Sequence, residues 1–202
     1  MSGYRFVRAV VSVWVKLAYR VEYHGRENEP SQGGMIVFSN HTSLADVLLT
    51  ACAVKQSLYF VAKSDLESNR FMRWLFRWCN VVPIKRGESD MAALRRTCEI
   101  IKEGNNVGIY PEGTRIPQDF PKAEDALAGM GLMATRTKAT MLPVTICYGK
   151  RKKPMLFRKV HVYIGKPIPH EEYSTFSEHP NSHEIAQYAF SKLCEDFKKY
   201  NG

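Results

Sequence analysis

His41 and Asp46, five residues apart in the run Ser39-Asn40-His41-Thr42-Ser43-Leu44-Ala45-Asp46, combine a base with a carboxylate. An imidazole with an unperturbed pKa of about 6.5 is largely neutral at physiological pH and can take a proton without further tuning. Residues five apart on one continuous helix point about 140° away from each other, so the two side chains meet only if His41 precedes a helix and Asp46 lies in its first turn. The flanking residues predict that arrangement. Met35-Ile36-Val37-Phe38 reads as a short buried strand and Leu44 to Val54 as a helix, which puts His41 on the turn between them. Asp46 would hold one ring nitrogen and leave the other free. Ser43-Leu44-Ala45-Asp46 also has the pattern of a capping box with Ser43 as N-cap, and taken alone that structural explanation suffices.

The elements that must position this pair follow from apolar runs and turn signals. Strands are expected near 35–39, 57–62, 81–84, 107–110, 141–147 and 159–165, and helices near 44–55, 67–78, 89–103, 126–137 and 183–199. Pro117 to Lys122 and His170 to Asn181 read as surface loops. The alternation predicts one α/β domain with a mostly parallel or mixed central sheet flanked by helices. Polar clusters follow three of these strands in the same sense: Asn40 to Asp46, Lys85-Arg86-Gly87, and Pro111-Glu112-Gly113-Thr114-Arg115. If the strands are parallel, all three clusters meet at one sheet edge, where α/β proteins bind ligands. Gly113 would let the backbone approach a ligand, and Lys85, Arg86 and Arg115 could grip an anion, with phosphate the natural choice. Glu112 cannot bind phosphate, so its expected task is to orient an arginine or accept a bond from a substrate hydroxyl. Pro111 to Thr114 also has the makings of an ordinary β-turn.

Composition narrows the partners. The 202 residues suit one domain, and 29 Lys and Arg against 20 Asp and Glu leave a formal charge of +9, which favours an anionic partner: phosphate, a lipid surface or nucleic acid. The five cysteines are scattered and form no Cys-x-x-Cys pair, which argues for reduced thiols. No metal-ligand constellation is visible: His161 sits in an expected strand, and His170, His179 and His183, in or beside a loop, read as solvated. There is no convincing signal peptide, and Arg8 and Lys16 interrupt the apolar segment 6–19, so a transmembrane helix is not expected. Residues 1–24 instead read as an amphipathic lead-in, with Phe6, Val10, Trp14 and Leu17 near one face and Arg5, Arg8, Lys16 and Arg20 around it; 25–202 form the main domain. The run 69–78, with arginines at 70, 73 and 77 among aromatics, suits a membrane interface or a core helix with a solvated stripe. Lys150-Arg151-Lys152-Lys153 reads as a solvated loop between the last two strands.

Together these motifs resemble the glycerophospholipid acyltransferase family, in particular bacterial 1-acylglycerol-3-phosphate acyltransferases. Asn40, His41 and Asp46 match its Asn-His-x4-Asp block, Val82-Pro83-Ile84-Lys85-Arg86 its second block, Tyr110 to Arg115 its aromatic-Pro-Glu-Gly-Thr-Arg block, and Leu142-Pro143-Val144 its fourth. Supporting matches run from Gly25-Arg26-Glu27-Asn28 through Ala62-Lys63 to Gly165-Lys166-Pro167, while Asn80, Ile116 and Leu127 depart from the usual residues. The resemblance implies acyl transfer from a thioester, acyl-CoA or acyl-acyl-carrier protein, to the sn-2 hydroxyl of 1-acylglycerol 3-phosphate. His41 would be the base and Asp46 its partner. Lys85, Arg86, Glu112, Gly113, Thr114 and Arg115 would bind the acceptor, supported by Asn40, Lys63 and Pro143, with no bound cofactor or metal. It also implies peripheral or monotopic work at the cytoplasmic face of the cell membrane, with lipid, a lysophospholipid and acyl carrier protein as partners. Glycerol 3-phosphate or an ornithine-type lysolipid stays open as acceptor. A basic nucleic-acid-binding module would explain the charge but leave His41, Asp46 and Glu112 idle.

Overall fold

Residues 2–63, 80–84, 90–116, 120–149, 151 and 153–201 are described in a computed structural model of the chain. Helix α1 (Ser2–Tyr19) leads into strand β1 (Val21–His24), followed by β2 (Ile36–Ser39), α2 (Ala45–Ala53), β3 (Leu58–Lys63), β4 (Val81–Ile84), α3 (Asp90–Lys102) and β5 (Asn106–Ile109). Then come α4 (Ala128–Thr137), β6 (Met141–Cys147), β7 (Val160–Ile164), α5 (His170–Thr175) and α6 (Ser182–Asn201). The strands form a seven-stranded sheet in the order β1-β7-β6-β2-β5-β3-β4. β2 to β6 are mutually parallel, β7 is antiparallel to β6, and β1 is parallel to β7. The expected mixed α/β sheet is therefore present.

Apolar side chains leave both faces of the central strands, which is why β2 reads as an unbroken hydrophobic run. Ile36 and Phe38 join Cys98, Ile101, Met130, Phe190 and Leu193 beneath α3, α4 and α6. Val37 joins Val15, Leu49, Leu58 and Leu142 beneath α1 and α2. The chain runs from β2 outward to β3 and β4, returns to place β5 against β2, and then crosses to β6 on the other side of β2. The ends of β5, β2 and β6 thus lie side by side, at the switch in strand order where such sheets bind ligands.

The structure departs from the sequence expectations in four places. β1 was not foreseen. His170 to Asn181 is not all loop, because α5 is held in place by the fully buried Tyr173, whose hydroxyl donates to the carbonyls of Ala134 and Ala139, both at 3.0 Å. His170 is not simply solvated, since its Nδ1 is buried and has no hydrogen-bond partner among the described residues. Arg151 is not a loose loop charge: its guanidinium donates to the carbonyls of Tyr148 (3.0 Å) and Lys159 (2.7 Å), tying together the two ends of the β6–β7 connection. The expected helix at 67–78 lies outside the described residues.

Candidate active site

His41 stands two residues beyond the end of β2, and α2 begins at Ala45. Asp46, in the first turn of α2, folds back so that its Oδ2 accepts the amides of Thr42 (2.6 Å) and Ser43 (2.7 Å) and lies 3.2 Å from His41 Nδ1. The carboxylate half of the capping box therefore forms. The Ser43 hydroxyl accepts instead from the Ala45 amide at 3.3 Å, and Leu44 is the N-cap residue. Since a carboxylate only accepts, it fixes the proton on Nδ1 and leaves the Nε2 lone pair of His41 available. The Asp46 side chain is 1% exposed and that of His41 14%, so the aspartate is sealed and the imidazole still has an opening to solvent.

The loop after β5 fixes His41 from the other side. Glu112 Oε2 accepts the His41 amide at 2.7 Å, and the Ile116 amide donates to the His41 carbonyl at 2.8 Å. The Tyr110 ring stacks on the imidazole with centroids 4.1 Å apart and planes 22° apart. The β-turn expected over Pro111 to Thr114 forms one residue earlier, over Tyr110 to Gly113, closed by a 3.0 Å bond from the Gly113 amide to the Tyr110 carbonyl. Gly113 has φ +66°, and a Cβ there would come within 2.6 Å of Leu127 Cδ1, so glycine serves both the turn and the close packing. Past it, Thr114 and Arg115 are exposed beside the site. Glu112 has a further task that its residue type did not suggest: it is 6% exposed and braces the His41 backbone. Burial, then the Asp46 and Asp125 charges, push its pKa up to about 8 against the pull of the His41 amide.

β6 closes the third side. Asn40 is buried; its side-chain amide donates to the Ile146 carbonyl (3.0 Å) and its oxygen accepts the Ile146 amide (2.9 Å), extending the β2–β6 ladder by one rung. The Tyr148 hydroxyl, one residue past β6, donates to Asp46 Oδ1. Burial and the Asp46 charge hold the Tyr148 phenol well above its ordinary pKa, so it acts as a donor. Pro143 lies inside β6, paired with Phe38, just where β7 leaves the ladder at Gly165. A Cβ on Gly165 would stand 2.8 Å from the Pro143 ring, so the matched glycine and proline pack directly together. Lys63 ends β3 and Ile84 ends β4 at this same edge. Lys85 and Arg86 lie outside the described residues. Tyr148 and the stacking role of Tyr110 were missed from sequence; extending the strand-end argument to β6 would have found the first.

The Acyltransferase family model matches residues 20–147. This chain belongs to the acyltransferase family. It is 24% identical over 174 residues to the 1-acyl-sn-glycerol-3-phosphate acyltransferase of Bacillus subtilis (strain 168), covering 85% of each. It is 35% identical over 100 residues, 48% of this chain and 34% of the other, to the lyso-ornithine lipid O-acyltransferase of Rhodobacter capsulatus. Several further relatives are longer, and the chain spans about half to three-fifths of their length. The crystal structure of the 1-acyl-sn-glycerophosphate (LPA) acyltransferase PlsC from Thermotoga maritima shares the fold, with a TM-score of 0.72 at 25% identity over 98% of this chain and 82% of that one.

Proposed function

We propose that the chain transfers a fatty acyl group from an acyl thioester, carried by coenzyme A or acyl carrier protein, to the sn-2 hydroxyl of 1-acylglycerol 3-phosphate, making phosphatidate. The observation that carries this reading is the His41 imidazole, held at Nδ1 by Asp46 and open at Nε2. Nε2 takes the acceptor hydroxyl proton as the oxygen attacks the thioester carbonyl. The tetrahedral intermediate then collapses, the C–S bond breaks, and the imidazolium returns its proton to the departing thiolate. Asp46 opposes the transient positive charge, and no protein nucleophile is used. Arg115 is assigned to the acceptor phosphate, as are Lys85 and Arg86, which follow β4 in the sequence. His41→Ala should lower acyl transfer in mixed micelles by about 10²–10⁴-fold; activity within a few-fold of the native chain would overturn the mechanism.

The acceptor carries a long acyl chain, and drawing roughly sixteen carbons into water would cost on the order of 12 kcal/mol at about 0.8 kcal/mol per methylene. The reaction therefore belongs at a bilayer surface, and we place it at the cytoplasmic face of the membrane. Among the described residues, no helix is long and apolar enough to cross a membrane. α1 packs on the domain through Val15 and Ala18 and turns Val10, Val13, Trp14 and Leu17 outward, each at least half exposed. The exposed Met155, Leu156 and Phe157 join this apolar surface at the end of α1, where the Phe157 amide donates to the Ala18 carbonyl. Lys16, Arg20 and Arg158 are also exposed there, and each basic residue near an anionic bilayer contributes about 1 kcal/mol. Flotation with anionic vesicles should carry the chain upward, and Trp14→Asp with Leu17→Asp should leave it at the bottom; binding that survives both changes sinks the assignment of this face. The Rhodobacter similarity favours a lyso-ornithine lipid as the second acceptor reading. Rates with both acceptors decide between them without touching the His41 chemistry.

A further inference from the structure

β1 brings Glu22 and His24 beside His161 of β7, with Glu22 directly opposite His161 in the register. One ligand atom from each, two imidazole nitrogens and a carboxylate oxygen, lies within 4.8 Å of the others. His24 Nε2 stands 3.3 Å from His161 Nδ1, and Glu22 Oε2 stands 3.4 Å from that same nitrogen. We propose that Glu22, His24 and His161 bind a divalent transition-metal ion, Zn2+ foremost, that clamps the edge strand β1 to β7. The sequence reading found no metal ligands because β1 was not foreseen, and His161 stood alone in its strand.

The spacing is the argument. Ligands about 2.0–2.1 Å from a tetrahedral zinc stand about 3.3–3.4 Å from one another, and two of the three separations already have that value. Two imidazoles facing each other through ring nitrogens repel when both are protonated, so the pair must share one proton or hold a cation between neutral rings. His24 is aimed by stacking on Tyr163 (4.6 Å, 15°), which in turn stacks on Tyr200 of α6 (3.8 Å, 6°). This buttress fixes one ligand before any metal arrives, as second-layer contacts do in metal sites. Two imidazoles and one carboxylate suit zinc and leave the fourth position to water. Glu22 Oε1 is paired with Lys159 Nζ at 2.7 Å, while Oε2 faces the histidine. Lys159 is exposed and can swing away, so it competes with the metal without blocking it.

Zn2+ titration of the purified full chain at pH 7.5, in competition with a chromophoric chelator, should show one site. His24→Ala and Glu22→Gln should each weaken it by more than about tenfold, with the melting temperature in EDTA unchanged because both groups are at the surface. Lys159→Gln should strengthen it about two- to fivefold, the range set by exposed ion pairs. The exposed His179 is the control, and His179→Ala should change nothing. Co2+ in the site should absorb as a nitrogen and oxygen complex without the thiolate charge-transfer band that binding at a cysteine would give. Zn2+ should raise the melting temperature of the native chain. The absence of a one-to-one site in the native chain, or a site that survives His24→Ala, overturns the proposal.

Discussion

Asp46 and Glu112 are both carboxyl groups buried at one sheet edge, and both hold the His41 loop, yet the protein treats them oppositely. Asp46 receives the amides of Thr42 and Ser43, the His41 ring and the Tyr148 hydroxyl. Glu112 receives the His41 amide, and burial pushes its pKa up to about 8. A carboxylate out of water is stabilised in proportion to the donors it is given. Asp46 is thus furnished with donors on both oxygens and faces the imidazole that the proposed mechanism makes positive, while Glu112 is a strut whose pKa burial raises to about 8. The lesson is that two acids a few ångströms from one histidine differ in role because of their donors, and position alone would not separate them.

Three substitutions break or sharpen that contrast. Asp46→Asn should do the most damage, since it removes the negative charge facing the imidazole and, with the amide oxygen in the place of Oδ2, turns the amide hydrogens toward the Tyr148 hydroxyl. The kcat should fall by about 10³–10⁴, as when a triad aspartate is neutralised, with KM nearly unchanged in initial-rate assays; a loss below tenfold would erase the distinction between the two acids. Tyr148→Phe removes one charge-assisted bond from Asp46 and should cost about 1.5–3 kcal/mol in urea unfolding, with an activity loss smaller than that of Asp46→Asn. Full stability in this variant would show that Asp46 does not need the phenol.

Glu112→Gln should do least to the rate, keeping it within a few-fold, because a neutral amide oxygen still accepts the His41 amide. Its signature lies in pH. The folded-state pKa of Glu112 is raised, so its stability contribution is fully present below about 4.5 and is lost as pH rises through about 8. Urea unfolding of the native chain between pH 5 and pH 9 should carry this downward slope, and the glutamine variant should lack it. An unchanged slope would assign the titration to another group.

Much of this arrangement was legible beforehand because it rests on local signals. Ile36 to Phe38 and Met141 to Cys147 are apolar runs bounded by polar turns, so the parallel core of the sheet could be read directly, and with it the meeting of the Asn40 and Pro111 loops. What escaped was non-local or too short for a period to register. Val21-Glu22-Tyr23-His24 is four residues with polar side chains at alternate positions, and only its distant partner β7 makes it a strand. Six-residue α5 depends on Tyr173 docking rather than on periodicity. The bond from the His41 amide to Glu112 was not foreseen, because burial, which no motif prints, decides what a carboxyl group can reach.

The pairing of β1 with β7 also sets an order of events during synthesis. His24 and His161 are 137 residues apart, so at roughly 5–20 residues per second the N-terminal helix leaves the ribosome roughly 7–27 s before the strand that pins its neighbour exists. Loop closure over such a separation is slow compared with helix formation. For that interval β1 has no partner strand, while α1 already has α2, β2 and β3 to pack on. The edge of the sheet at β1 is therefore completed only when nearly all of the chain has been made, and the rest of the core can gather before it.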